Sequence, residues 1–348
     1  MTRRRRILWV LFLVVALVGS WHLIANVFQE EEKELRRKLR ETAKETFPEE
    51  AAAFAQTLGL SSFKADREAG GATAHRKSVV LIHGLDDPGK VWQDLAPALA
   101  KEDFDVWLME YPNDQPVVES ARLLFDELKG LDTLGIRRVS IVAHSMGGLV
   151  SREMLTRPEI DYATAVTEGI VPEVAELIMV ATPNHGSQLA RVRVFGETRD
   201  HLVRLMKGEA SWLGMILDGA GEAKIDLLPG SRFLTELNAR PHPDGLEMSI
   251  IAGISSPWNE QDIDRWVGTV RQQLPDENRD WADKLGETLI SMTRGLGDGL
   301  VTVESTRLEG VPHRTVDGTH LSMIRNITTN SPRIPPAVPI IIDQLEGE

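Results

Sequence analysis

The sequence predicts an α/β protein: a mostly parallel central sheet with helices on both faces, helical cap or lid insertions, and an N-terminal transmembrane helix. Three observations predict it. From Ser78 onward, short apolar runs of strand character alternate with helix-forming stretches. One such run, Val139-Ser-Ile-Val-Ala143, passes through a single turn into a helical stretch from Met146 to about Thr156. At the other end of the chain, the 22 residues from Ile7 to Phe28 contain no Asp, Glu, Lys or Arg.

A membrane helix needs about 20 apolar residues, so 7–28 is long enough to span a bilayer. Arg3, Arg4, Arg5 and Arg6 precede it and are expected to stay cytoplasmic, which puts the rest of the chain on the periplasmic or extracellular side. Two readings stay open: an uncleaved signal anchor, favoured by the length of the apolar run, and a signal peptide cut after Ser20 with the protein secreted. Residues 29–77 read as a helical stem followed by a linker. Glu30 to about Leu58 is rich in Glu, Lys, Arg and Ala, with Glu32/Arg36 and Glu34/Lys38 spaced to pair and a narrow apolar stripe of Leu35, Leu39 and Ala43. The linker is placed near 65–77, around Gly70–Gly71.

The main domain is predicted over 78–348. Its expected strands are Ser78–His83, Asp105–Met109, Val139–Ala143, Ala175–Ala181 and, more weakly, Met248–Ala252 and His313–Val316. Expected helices are Val91–Lys101, Val117–Lys129 and Met146–Thr156. Short, mostly apolar strands alternating with helices imply a parallel sheet covered on both faces. Insertions of helical composition interrupt the pattern at about 187–246 and 255–295, and the last stretch, Ile340–Leu345, is strand- or helix-like.

Composition narrows the function. The 348 residues are 42% hydrophobic and 26% charged, a globular balance, and the formal net charge of −13 argues against a nucleic-acid partner. The absence of cysteine rules out a disulfide framework, a thiolate zinc site and a cysteine nucleophile.

The segment Val142-Ala143-His144-Ser145-Met146-Gly147-Gly148 follows a strand and opens a helix. It fits a nucleophile elbow, in which a serine sits on a strained turn with its hydroxyl above the sheet and small residues stand two places to either side. Upstream, the strand through Ile82 ends in His83-Gly84-Leu85. An acyl-transfer site needs two backbone N–H groups aimed at the oxyanion, and Leu85 and Met146 are the candidates. His144 is read as packing or pocket lining and not as the base. The acid follows the serine in this chain order, and the base comes last. Gly297-Asp298-Gly299 places a carboxylate on a turn, and Thr319-His320-Leu321 follows the last strand. Asp317 lies too near His320 to orient it. Ser145, Asp298 and His320 are therefore the expected catalytic triad, a set that works without a cofactor.

Together with Ala181-Thr-Pro183-Asn-His185-Gly186-Ser187, these motifs resemble those of lipases and esterases of the α/β-hydrolase superfamily, in particular bacterial triacylglycerol lipases and inositol-deacylase-like proteins. The resemblance covers about residues 78–325. It implies the α/β-hydrolase fold, an acyl-enzyme mechanism, an acyl-ester substrate such as a lipid, and a mobile cap in the first insertion, with Trp212, Leu213, Met215, Ile216 and Leu217 as candidate lipid-facing residues. It makes Thr182–Ser187 a pocket wall, so that His83, Gly84, His144, Thr182, Pro183 and His185 are expected near the substrate. Two alternatives share these motifs: an acyltransferase with the same triad, and a non-catalytic binding or scaffold protein. The sequence is silent on oligomeric state.

Overall fold

Strands that are apolar on both sides must be sandwiched, and that requirement sets the architecture. The strands are β1 (Gly59–Ser62), β2 (Ser78–Ile82), β3 (Asp105–Glu110), β4 (Arg138–His144), β5 (Glu173–Val180), β6 (Glu247–Gly253) and β7 (His313–Val316). The computed structural model describes residues 29–63, 76–85, 89–187, 221–254, 267–268, 271, 297–328 and 331–347. Among these, the seven strands form one sheet in the order β1-β3-β2-β4-β5-β6-β7. All neighbouring pairs from β3 to β7 are parallel, and β1 alone runs antiparallel, at the edge beside β3.

The helices are α1 (Gln29–Thr46), α2 (Pro48–Ala55), α3 (Leu95–Lys101), α4 (Val117–Thr133), α5 (Met146–Thr156), α6 (Tyr162–Thr167), α7 (Glu222–Asp226), α8 (Arg232–Asn238), α9 (Val303–Thr306) and α10 (Ala337–Glu346). The two-residue period of a strand divides the core cleanly. Val80, Ile82 and Ile141 point toward Leu124, Leu128 and Leu149 of α4 and α5. Val79, Leu81 and Val142 point toward Leu95 and Leu99 of α3 and Ile341 and Leu345 of α10. A parallel sheet built this way brings the C-terminal ends of its strands to one edge, where sites form in open α/β folds.

Several details differ from the sequence reading. The Val91–Lys101 helix is broken into a 3₁₀ turn at Lys90–Trp92 and α3, with Pro97 in the first turn of α3, where a missing N–H costs little. The Ile340–Leu345 tail is helical, within α10. Strand β1 carries no apolar alternation and was not expected. It pairs Gly59 with Glu110 and Ser62 with Trp107, and Leu60 N–H donates to the Glu127 carboxylate at 2.8 Å.

The stem also packs in an unexpected way. Leu35 and Leu39 of the apolar stripe face solvent, at 70% and 50% exposure, while Arg40 on another face of the helix is buried at 2%. Arg40 donates twice to Glu119 of α4, at 2.6 and 2.8 Å, and its Nε lies 3.0 Å from Glu222 of α7. Lys33 pairs with the buried Asp226 at 2.5 Å. The stem is thus held to the domain by charge, not by its leucines.

The expected membrane segment, Ile7–Phe28, lies outside the described residues. So do most of the 65–77 linker, Trp212 and its apolar neighbours in the first insertion, and nearly all of the second insertion. Among the described residues no helix is long and apolar enough to cross a membrane.

Candidate active site

Ser145 sits between β4 and α5 with φ 53° and ψ −125°, a left-handed conformation that a serine adopts only when its surroundings enforce it. They do so on several sides. The Ser145 N–H donates to the Val180 carbonyl of β5 at 2.8 Å. At Gly147, a Cβ would come within 2.6 Å of the His83 carbonyl oxygen, so the first turn of α5 is pressed against the end of β2. The small residue two places after the serine is needed for that contact. At Gly84, a Cβ would stand 2.6 Å from the Ser145 Cβ and 3.2 Å from its Oγ. Glycine here lets the β2 turn approach the hydroxyl closely. Leu85 and Met146 each lie one residue beyond this contact.

The three residues expected to form a triad, far apart in sequence, are brought together. His320 Nε2 lies 3.0 Å from Ser145 Oγ, and its Nδ1 lies 2.8 Å from Asp298 Oδ2. A carboxylate oxygen only accepts, so Nδ1 carries the proton and Nε2 is the bare nitrogen facing the hydroxyl. Asp298 is not on a loose turn, although two glycines flank it. It is 1% exposed, and its Oδ1 accepts the N–H groups of Leu300 (2.9 Å) and Val301 (2.8 Å), which leaves Oδ2 for the imidazole. The His320 N–H closes the arrangement by donating to the Asp298 carbonyl at 2.9 Å.

Two further histidines surround this centre. His83 is fully buried, stacked on Tyr111 with ring centroids 4.4 Å apart. Its Nδ1–H donates to the Gly84 carbonyl at 2.8 Å, and the Tyr111 hydroxyl donates to the His83 carbonyl at 2.6 Å. It therefore braces the turn from below. His144, 2% exposed, donates from Nε2 to the His320 carbonyl at 2.9 Å. Its ring lies 4.8 Å from that of His320. Burial, reinforced by the neighbouring His320, holds the His144 imidazole well below its ordinary pKa, so it stays neutral and keeps donating. Both histidines support the backbone of the site.

The Thr182–Ser187 strip, expected to wall a pocket, is placed largely under the surface. Thr182 and Asn184 are fully buried, and Pro183 is buried between them. His185 is exposed and hydrogen-bonds the Arg307 carbonyl at 3.1 Å. The bonding of Asn184 and Ser187 was not read from the sequence. The only signal there was a polar pair inside an otherwise buried post-strand segment. Among the described residues no cluster of His, Asp or Glu side chains is arranged to hold a metal ion.

With this geometry in view, the comparisons with known proteins are informative. The model of the alpha/beta hydrolase family matches residues 79–326, and the chain belongs to that family. "Putative carbamate hydrolase RutD" of Pseudomonas savastanoi pv. phaseolicola is 38% identical over 90 residues, covering 24% of this chain and only 34% of that relative's length. Among solved structures, Bacillus licheniformis lipase BlEst2 in its mature form superposes with a TM-score of 0.51 at 19% identity, over 82% of this chain and 97% of that one. Phospholipase PlaB from Legionella pneumophila superposes with a TM-score of 0.51 at 17% identity, over 78% and 60%. At those identities the two structures speak to the fold alone.

Proposed function

We propose that this chain is a membrane-tethered serine hydrolase that cleaves carboxylic esters, lipid esters in particular, through an acyl-enzyme on Ser145. The observation that carries this reading is the line of contacts Ser145 Oγ, His320 Nε2, His320 Nδ1 and Asp298 Oδ2, at 3.0 and 2.8 Å.

The chemistry follows from the proton positions. As Ser145 Oγ attacks the ester carbonyl carbon, His320 Nε2 takes its proton, and Asp298 stabilises the imidazolium and holds the ring in place. The carbonyl oxygen becomes an oxyanion that accepts hydrogen bonds from the backbone N–H groups of Leu85 and Met146, where α5 directs its positive end. Collapse of the intermediate expels the alcohol, which leaves with the proton from Nε2, and the acyl group remains on Ser145. Water then repeats the sequence: Nε2 takes its proton, the hydroxide attacks the acyl carbon, and Ser145 leaves with the proton restored.

Lipid esters are favoured because the apolar Ile7–Phe28 segment, with four arginines before it, would hold the domain beside the non-cytoplasmic face of a bilayer. A carbamate is the second reading. The partial match to "Putative carbamate hydrolase RutD" favours it, and acyl transfer at a carbamate carbonyl would use the same groups.

The test is labelling with a fluorophosphonate probe together with hydrolysis of p-nitrophenyl acyl esters, a phospholipid in vesicles and a p-nitrophenyl carbamate. The expected result is label and ester turnover in the full chain and neither in Ser145→Ala. Undiminished turnover by Ser145→Ala would reject the nucleophile. For topology, protease added to spheroplasts should remove a tag placed at Glu348. Protection until lysis would reject the proposed orientation.

A further inference from the structure

The strip after β5 and the arm after the acid are stitched together along their length. Asn184 Nδ2 donates to the Thr306 carbonyl at 2.7 Å, and the His185 N–H donates to the Ser305 carbonyl at 2.9 Å. Ser305 Oγ donates to the Gly186 carbonyl at 2.5 Å, and Ser187 Oγ donates to the Leu300 carbonyl at 2.6 Å. The last of these contacts reaches the site itself. Leu300 is held at both of its backbone groups, its carbonyl by Ser187 and its N–H by Asp298 Oδ1.

The other end of the strip reaches the nucleophile helix. Asn184 Oδ1 accepts from Arg152 Nη1 at 2.9 Å, and Arg152 lies on α5, about two turns beyond Ser145. Arg152 is only 3% exposed, and among the described residues it has no carboxylate at ion-pair distance. Burial, with the charge of Arg240 adding to it, pulls its guanidinium down to about 10. A buried cation is best served by an anion, so an amide opposite Arg152 needs a reason. The reason is on the far side of the same group. A carboxylate at position 184 would pair better with Arg152 but would have no N–H for the Thr306 carbonyl. An amide accepts at one end and donates at the other.

We propose that Asn184 is a positioning residue that ties the nucleophile helix to the acid arm and so sets Asp298 against His320. The inference rests on the serine-hydrolase reading and deepens it. Asn184 is fully buried and acts through Thr306 and the arm, not on the substrate.

Asn184→Asp tests it with almost no change of volume. It keeps and strengthens the Arg152 contact and loses the donor to Thr306. In the full chain, kcat on p-nitrophenyl butyrate should fall about 10- to 100-fold, the scale of a small misplacement in a catalytic group, with KM little changed. The low-field proton resonance of the His320 Nδ1–H bonded to Asp298 should weaken or move upfield. In an Asp298→Asn background the same substitution should cost nearly nothing more, since both act on one contact. An unaltered kcat with an unmoved resonance would overturn the proposal, and so would losses that simply multiply in the double variant. Should Asn184→Asp fail to fold, Ser187→Ala carries the same readouts, removing the Oγ bond to Leu300 at the site end of the strip, and decides in the same way. If the parent protein turns over no ester at all, the hydrolase reading falls, while the His320 resonance still decides whether Asn184 positions the acid.

Discussion

Arg40→Met examines the charged seam that holds the stem. In the native protein the Arg40 guanidinium sits between Glu119 and Glu222, with Glu222 fully buried and neither of its carboxylate oxygens hydrogen-bonded. Burial pushes the Glu222 carboxyl up to about 7 even though Arg40 pulls the other way. At Glu119, burial also pushes upward, but the hydrogen bonds and charge of Arg40 outweigh it and hold that carboxyl below its ordinary value. Methionine keeps most of the side-chain volume and removes the cation. Breaking a buried pair from one side costs about 3–5 kcal/mol. The lower end applies at pH 8, because Glu222 can take up a proton instead of staying charged. A loss of about 3 kcal/mol lowers Tm by about 6 °C in a domain of this size.

The pH dependence has a definite sign. A carboxylate whose folded pKa is raised binds a proton in the folded state that the unfolded chain releases. Stability is therefore lost as pH rises from about 4.5 through about 7. In the variant that loss continues to higher pH. At pH 5.5 the folded protein already holds the proton, and the difference should shrink to about 1 kcal/mol, the scale of the contacts to the partly exposed Glu119. Thermal melts of parent and variant at both pH values measure this directly. A Tm drop below about 1 °C at pH 8, or the same drop at both, would refute the reasoning.

Three further outcomes are expected. Gly84→Ala places a methyl 2.6 Å from the Ser145 Cβ and should lower kcat at least about 100-fold, read by steady-state hydrolysis with Tm as the control; turnover like the parent's would show that the turn yields. Asp298→Asn should lower kcat about 10⁴-fold, by analogy with loss of the acid in a well-studied triad, while leaving the far-UV circular dichroism unchanged. Gly147→Ala drives a Cβ into the backbone carbonyl of His83 and should lower Tm by several degrees as well as abolish probe labelling, a pairing that separates it from Asp298→Asn.

The parts of the molecule that were legible in advance share a physical property. The strands through Val80, Ile141 and Ile178 carry apolar residues on both faces, and few environments other than a covered parallel sheet accept such runs. Ser145 was legible from the small residues two places to either side of it, Asp298 from the glycines that flank it, and His320 from its place after the last strand in the motif's chain order. Other features left no local trace. Strand β1 is short and polar, and only its partner β3 makes it a strand. Arg40 looks like any other charge on a helix rich in charges, and its burial depends on α4 and α7 being opposite. The Leu35/Leu39/Ala43 stripe left the stem's packed face open for the same reason: periodicity identifies a face but not its partner. Asn184 reads as one residue of a turn until its two ends are seen to meet Arg152 and Thr306. The two glycines beside Asp298 give no sign of how firmly it is held, because the N–H groups that fix it come from the fold of its own arm.

Strand β1 lies upstream of the region shared with the family, residues 79–326, yet it covers the rim of β3. Without it, β3 would present a row of free N–H and C=O groups to any other chain in solution, the kind of template on which sheets grow from molecule to molecule. A four-residue segment of little sequence character therefore acts as a guard, and a shortened protein that begins at the family boundary should come out of the cell as aggregate even with Ser145, Asp298 and His320 intact.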